Sequence, residues 1–280
     1  MTLAHGFFVQ FGNESSPCRH RSEINMSKWG KSMKTNAVKP FRKPLAEIHL
    51  DRHWPSVDPQ TLFQLELKQD EYYEHIPPDA LPYYVEQAMK KGQTVASLHG
   101  RPLSLRTLLN QLLKEGVCIR FQDAHPHDPF IRAQYRKKPK TIEIYRRSLQ
   151  QIDQFFDAMG ESVAEEEIML LHLYHEWFHH LEETRCGRTD ADLAKVVVKR
   201  MGPFKQRKGI LRTREIAAHT FTQAVMKLPW SPLLLDYLLD FQQRGWSKSE
   251  IREHFQRLKQ SSPPNPPPPS PSEHVTINNN

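Results

Sequence analysis

Five consecutive residues, His175-Glu176-Trp177-Phe178-His179, combine types and spacing that can do chemistry. On an α-helix, residues four apart share a face, about 6 Å apart along the axis. His175 and His179 can therefore aim two imidazoles at one point. Two neutral imidazoles suit Zn²⁺, which takes nitrogen at about 2.0–2.1 Å. Glu176 adjoins the first imidazole and is placed to reach a metal-bound water rather than the metal. Two ligands and a general base on one helical turn is an arrangement suited to metal-assisted hydrolysis. With 15 His in 280 residues, a chance HExxH arises roughly one time in twenty, so the surrounding chain must carry the argument.

A hydrolytic zinc site needs a third protein ligand and a position left for water. Downstream candidates are Glu182, Glu183, Cys186, Asp190, Asp192, Glu215 and His219. Glu182 and Glu183 follow His179 too closely on the same helix to close a tetrahedron, and Cys186 reads as a buried thiol. Glu215 and His219 lie four apart at the start of an apolar segment that runs through Ala224, Val225 and Leu228. A carboxylate on an apolar helix needs a partner, because burying a lone charge is costly. That partner is a metal, with Glu215 as third ligand, or a salt bridge to Arg212 or Arg214. His219 can support a ligand, steady an oxyanion or serve structure alone. Tyr174 and His180 are further oxyanion candidates, and His172 reads as supporting or core.

The elements that must position these residues are legible from periodicity. Ser162 followed by Glu165-Glu166-Glu167 reads as the start of a helix, and the apolar stripe Ile168, Leu171, Tyr174, Phe178, Leu181 carries it through the pentapeptide. Ser148–Met159 reads as the helix before it. Alternation predicts strands over 117–121, 130–135 and 141–145, which make a small antiparallel sheet whose edge could take an extended peptide. Upstream, Leu62, Leu65 and Leu67 indicate a short helix. Pro82–Met89 reads as a second, with Gly92 past its end, and Ser104 caps a third that closes at Gly116. The pair around Gly100-Arg101-Pro102 has a helix-turn-helix outline, but a helical pair that packs on the main domain is the favoured reading over DNA readout. His125-Pro126-His127-Asp128 reads as a polar turn.

Charge is uneven. Of the net +7, residues 1–44 hold eight Lys/Arg against two acids, while residues 45–260 are nearly balanced. The chain thus reads as a flexible basic arm (1–44), a helical region (45–115), a main domain (116–260) and a disordered Pro-rich tail (261–280). The arm leaves nucleic-acid binding open on weak grounds. No apolar run reaches membrane-spanning length and Met1–Gln10 lacks a secretory pattern, so no membrane partner is expected. Three widely spaced cysteines (Cys18, Cys118, Cys186) argue against a disulfide framework and fit a cytoplasmic location.

The order strand 141–145, helix, HExxH at 175–179, then Glu215-x-x-Ala218-x-x-Phe221 leading to Leu228-Pro229, resembles the ImmA/IrrE family of gluzincin-type metallopeptidases over about residues 116–258. Leu233–Gln243, Gly245-Trp246-Ser247 and Ile251–Leu258 are similar to the family's closing helical segment. Its pattern places Asn or Asp where His219 stands, and the basic connection 199–214 is distinctive of this chain. The resemblance implies an α+β, mainly helical, minimal zincin-like metallopeptidase domain. It further implies Zn²⁺ held by His175, His179 and Glu215, Glu176 as catalytic acid/base, and a protein or peptide substrate, often a regulatory protein. The competing expectations are a non-catalytic zinc-stabilised module that binds DNA or protein, and an ordinary helical domain with a fortuitous HExxH.

Overall fold

A computed structural model describes residues 42–128 and 131–261. All but 42–44 of the expected basic arm, and all but Ser261 of the Pro-rich tail, lie outside the described residues. The fold is α+β and mainly helical, as expected. After two 3₁₀ turns, α1 (Pro59–Leu67) starts where the Asp58 carboxylate accepts the Thr61 N–H at 2.9 Å. Helix α2 (Leu81–His99) ends at Gly100, whose φ of 72° suits glycine. Helix α3 (Leu105–Lys114) is capped by Ser104, as its sequence predicts.

Strands β1 (Cys118–Gln122), β2 (Ala133–Lys137) and β3 (Lys140–Tyr145) form one sheet in the order β1-β3-β2. The β2–β3 pair is an antiparallel hairpin, but β1 runs parallel to β3, with Cys118 opposite Thr141 and Gln122 opposite Tyr145. The sheet is therefore mixed, not purely antiparallel. Alternation reveals a strand and its faces; direction depends on how the 123–132 connection returns, which alternation does not encode.

Helix α4 (Arg146–Asp157) buries Leu149, Ile152, Phe155 and Phe156. Helix α5 (Glu165–Leu181) is buried on every side from Ile168 onward, the signature of a central helix. Ser162 does not cap it: the helix starts after Ala164, and the Ser162 carbonyl instead accepts the Lys43 N–H at 2.8 Å. One π-type turn (Glu182–Cys186) and the short α6 (Thr189–Asp192) follow. Strands β4 (Val196–Met201) and β5 (Phe204–Lys208) then form a separate antiparallel hairpin where the sequence suggested only a basic connection. Helices α7 (Arg212–Met226), α8 (Pro232–Gln243) and α9 (Lys248–Ser261) complete the chain.

Buried apolar side chains from Leu45 to Phe255 join in one core. Its tightest helix pair is α2 against α7. A Cβ added at Gly92 would stand 2.4 Å from the Ala217 carbonyl oxygen and 2.9 Å from Thr220 Cβ. Gly92 is thus a spacer inside α2 and not its terminator, and the helix continues seven residues beyond it to His99. Ala217 and Ala218 are fully buried on the facing helix. Cys186 is free and half-buried, whereas Cys118 is disulfide-bonded, which departs from the expectation, drawn from an odd number of widely spaced cysteines, that the chain forms no disulfides. No described helix is long and apolar enough to cross a membrane.

Candidate metal centre

Helix α5 lies between the β2 edge of the sheet and α7. Its aromatic side chains set the spacing: the Trp177 and Phe178 rings pack on Phe221 of α7, with centroids 5.9 and 5.3 Å away. That contact brings the first turn of α7, where Glu215 sits, over the His175–His179 face. A carboxylate in a first turn also suits the helix dipole.

Donor atoms of three residues converge. His175 Nε2 is 3.2 Å from Glu215 Oε2, His179 Nε2 is 3.3 Å from His175 Nε2, and His179 Nε2 is 3.5 Å from Glu215 Oε1. Among the described residues, His175, His179 and Glu215 are the one buried group whose atoms lie close enough together to hold a metal ion. The salt-bridge alternative for Glu215 is not taken. Arg212 pairs with Glu66 at 2.9 Å, and Arg214 with Glu182 at 2.8 Å and Glu183 at 3.2 Å.

The carboxylates and imidazoles tune one another. Burial alone would raise Glu215, but the His179 charge and hydrogen bonds from both imidazoles hold it well below the usual carboxylate range. Burial lowers His175 to about 4, leaving its imidazole neutral. Burial also opposes charge on His179, yet Glu215 and Glu182 together push it up to about 10. Burial pushes the Glu176 carboxyl up to about 8, against the pull of His179 and a backbone hydrogen bond from Tyr135 on β2. Glu176 Oε1 is buried without a hydrogen-bond partner among the described residues.

The chain matches no family model, no curated protein and no solved structure.

Glu182 occupies a place beside the donor group that its sequence position concealed. It cannot join the donor triangle, but its Oε2 lies 3.2 Å from His179 Nδ1, on the far side of the ring from Nε2. A carboxylate there fixes the tautomer and orientation of a donor imidazole. Glu182 is itself gripped by the Thr189 N–H at 2.8 Å, the Thr189 hydroxyl at 2.6 Å and Arg214. The i, i+3 spacing from His179 was the available signal; the π-type turn that folds Thr189 back was not visible.

His219 stands against His175, with ring centroids 4.7 Å apart, and its Nε2 is 3.9 Å from Asp236 Oδ2 on α8. Arg132 Nε reaches the other Asp236 oxygen at 3.4 Å. Tyr174 is committed elsewhere, since its hydroxyl accepts the Leu103 N–H at 2.6 Å. His180 is likewise held at both nitrogens, by the Tyr135 hydroxyl at 3.0 Å and by Glu115 at 3.0 Å. Of the three oxyanion candidates, only His219 adjoins the donor group. His125 Nδ1 accepts the Asp128 N–H at 2.9 Å, consistent with a polar turn.

The centre is enclosed: His175, Glu176 and His179 are each 1 % exposed and Glu215 6 %. A surface cavity of about 420 Å³, lined by Arg146, Leu149, Asp153 and Glu165 among others, shares no residue with it.

Proposed function

We propose that the chain is a zinc-dependent peptidase whose ion is held by His175, His179 and Glu215 and whose catalytic acid/base is Glu176. The observation that carries this reading is the donor triangle. Donors at the corners of a tetrahedron, about 2.0–2.1 Å from its centre, stand about 3.3–3.4 Å from one another. The edge between the two imidazole nitrogens is 3.3 Å, and the Glu215 carboxylate flanks it, with Oε2 3.2 Å from His175 Nε2 and Oε1 3.5 Å from His179 Nε2; one donor atom from each residue lies within 4.8 Å of the other two. Two imidazole nitrogens and one carboxylate oxygen are a donor set used by catalytic zinc, and two of the donors standing four apart in HExxH on one helix favour zinc over iron, which can use the same set. Three protein donors leave one position free, whereas structural zinc sites use four.

Zinc bound there would supply a Lewis acid and acidify a water. The chain's residues do the rest. Glu182 holds the His179 ring in register. Glu176 takes the proton from the attacking water on Oε1 and returns it to the departing amine nitrogen. The Tyr135 backbone orients Glu176 by binding the other carboxylate oxygen. His219, beside His175, is the group placed to steady negative charge on the carbonyl oxygen. Enclosure keeps bulk water from these charges, and a peptide enters only when the segments over the centre move aside. The likeness to the ImmA/IrrE pattern supports a protein substrate.

The same enclosure favours a second reading, a zinc ion that fastens α5 to α7 without catalysis. One variant separates the two. Glu176→Gln keeps every donor. On the peptidase reading it retains zinc and loses at least about a hundredfold in cleavage of a peptide library, the scale expected of a general base. A zinc-loaded wild type that cleaves nothing selects the structural reading. Full activity in Glu176→Gln removes the mechanism.

A further inference from the structure

We propose that the β4–β5 hairpin is a binding element for double-stranded DNA, independent of the metal centre. Residues 193–214 contain no acid, and Lys195, Lys199, Arg200, Lys205, Arg207 and Lys208 lie along the hairpin. No ion pair with a described residue neutralises any of the six. Elsewhere in the described chain some cations are paired, as Lys43 is with Glu161, Lys137 with Glu183 and Arg244 with Asp240. A solvated charge run is the ordinary fate of exposed lysines, so the count alone is not the argument; the placement is.

In the observed register Arg200 faces Lys205, Lys199 faces Gln206, and Met201 faces Phe204. Opposed residues share a face and faces alternate along a strand. Arg200, Lys205 and Arg207 therefore point to one side, and Lys199 and Lys208 to the other. The tip, Met201-Gly202-Pro203-Phe204, is exposed and apolar, with Phe204 73 % and Met201 54 % accessible. Gly202 turns the chain there with φ 59°.

A two-stranded ribbon fits the major groove of B-DNA, about 12 Å wide, where cations on both faces reach the phosphates of both walls. An apolar tip can also contact the thymine methyl groups exposed in that groove. The deep, narrow major groove of duplex RNA does not admit such a ribbon. An anionic membrane is the other polyanion that this surface could meet. It would engage the tip and the cations next to it, and would leave Arg207 and Lys208, farther up the ribbon, without a partner. Cations spread along both strands favour the groove.

The test uses the full chain and a fluorescent mixed-sequence DNA duplex of about 20 base pairs, with anisotropy read between about 50 and 200 mM KCl. Wild type should bind with a salt slope of about −4, as expected for four or five phosphate contacts. The quadruple variant Lys199→Gln, Arg200→Gln, Lys205→Gln, Arg207→Gln should lose at least about thirtyfold in affinity and flatten the slope by about three. A matched quadruple variant at other exposed cations, Lys68→Gln, Lys90→Gln, Arg101→Gln, Lys114→Gln, should lose less than about threefold. Phe204→Ser should weaken binding without changing the slope. Equal losses in the two quadruple variants would show general attraction to a basic chain and overturn the proposal. So would no binding by wild type, or hairpin-dependent binding to phosphatidylserine vesicles with DNA binding unaffected. All substituted positions are exposed, and unchanged circular dichroism confirms folding.

Discussion

Nδ1 of His179 lies 3.2 Å from the Glu182 carboxylate, while Nε2 of the same ring lies 3.5 Å from Glu215. One imidazole is thus held between an orienting carboxylate and a donor carboxylate. Substituting Glu182 by Gln keeps the shape but removes the charge that aligns the ring. Zinc affinity should fall about 10–100-fold, the usual effect of losing such a partner. Competition with a chromogenic chelator measures it. Unchanged affinity would mean that Glu182 only braces Arg214 and Thr189.

Gly92 offers a prediction in which the sign decides. At an exposed helical site Gly→Ala stabilises by about 1 kcal/mol through backbone entropy. Here the added methyl meets a backbone carbonyl at 2.4 Å, and backbone cannot swing away. Gly92→Ala should destabilise by about 1–3 kcal/mol, as overpacking does. It should also weaken zinc binding, because α7 carries Glu215. Urea midpoints read the first effect and chelator competition the second. A stabilised variant would show that α2 and α7 do not pack as described.

Acid sensitivity should trace partly to His172. Burial lowers its imidazole to about 3, with Arg132 and His175 adding to the effect, against about 6.5 in an unfolded chain. The folded value is depressed, so between the two the unfolded state binds the extra proton. The associated stability is present above about pH 6.5 and is lost as pH falls toward 3, at about 1.4 kcal/mol per pH unit. His172→Gln should flatten the pH dependence of the urea midpoint between about pH 6 and 4 by close to one proton. An unaltered slope would contradict the burial of a neutral imidazole.

Much of the centre was legible because its information is local. The i, i+4 spacing of His175 and His179 and the apolar stripe around them define a helix and a face. Glu215 stood out as a carboxylate on an apolar helix, and the structure brings it to the two imidazoles. What escaped was set by tertiary partners. Gly92 looks like a helix end until Ala217 is packed against it. Glu182 looks redundant until Thr189 and Arg214 fold back onto it. Parallel pairing of β1 with β3 is a property of chain path, not of residue pattern. The β4–β5 hairpin was hidden by its lysines and arginines, which mask the alternation of a ribbon exposed on both faces.

The most direct test of the account is metal content by mass spectrometry on protein purified without added metal or chelator. Wild type should carry about one zinc per chain, and Glu215→Ala only a small fraction of that, since two imidazoles alone hold zinc weakly. Wild type without stoichiometric metal, or Glu215→Ala with a full complement of zinc, would contradict it.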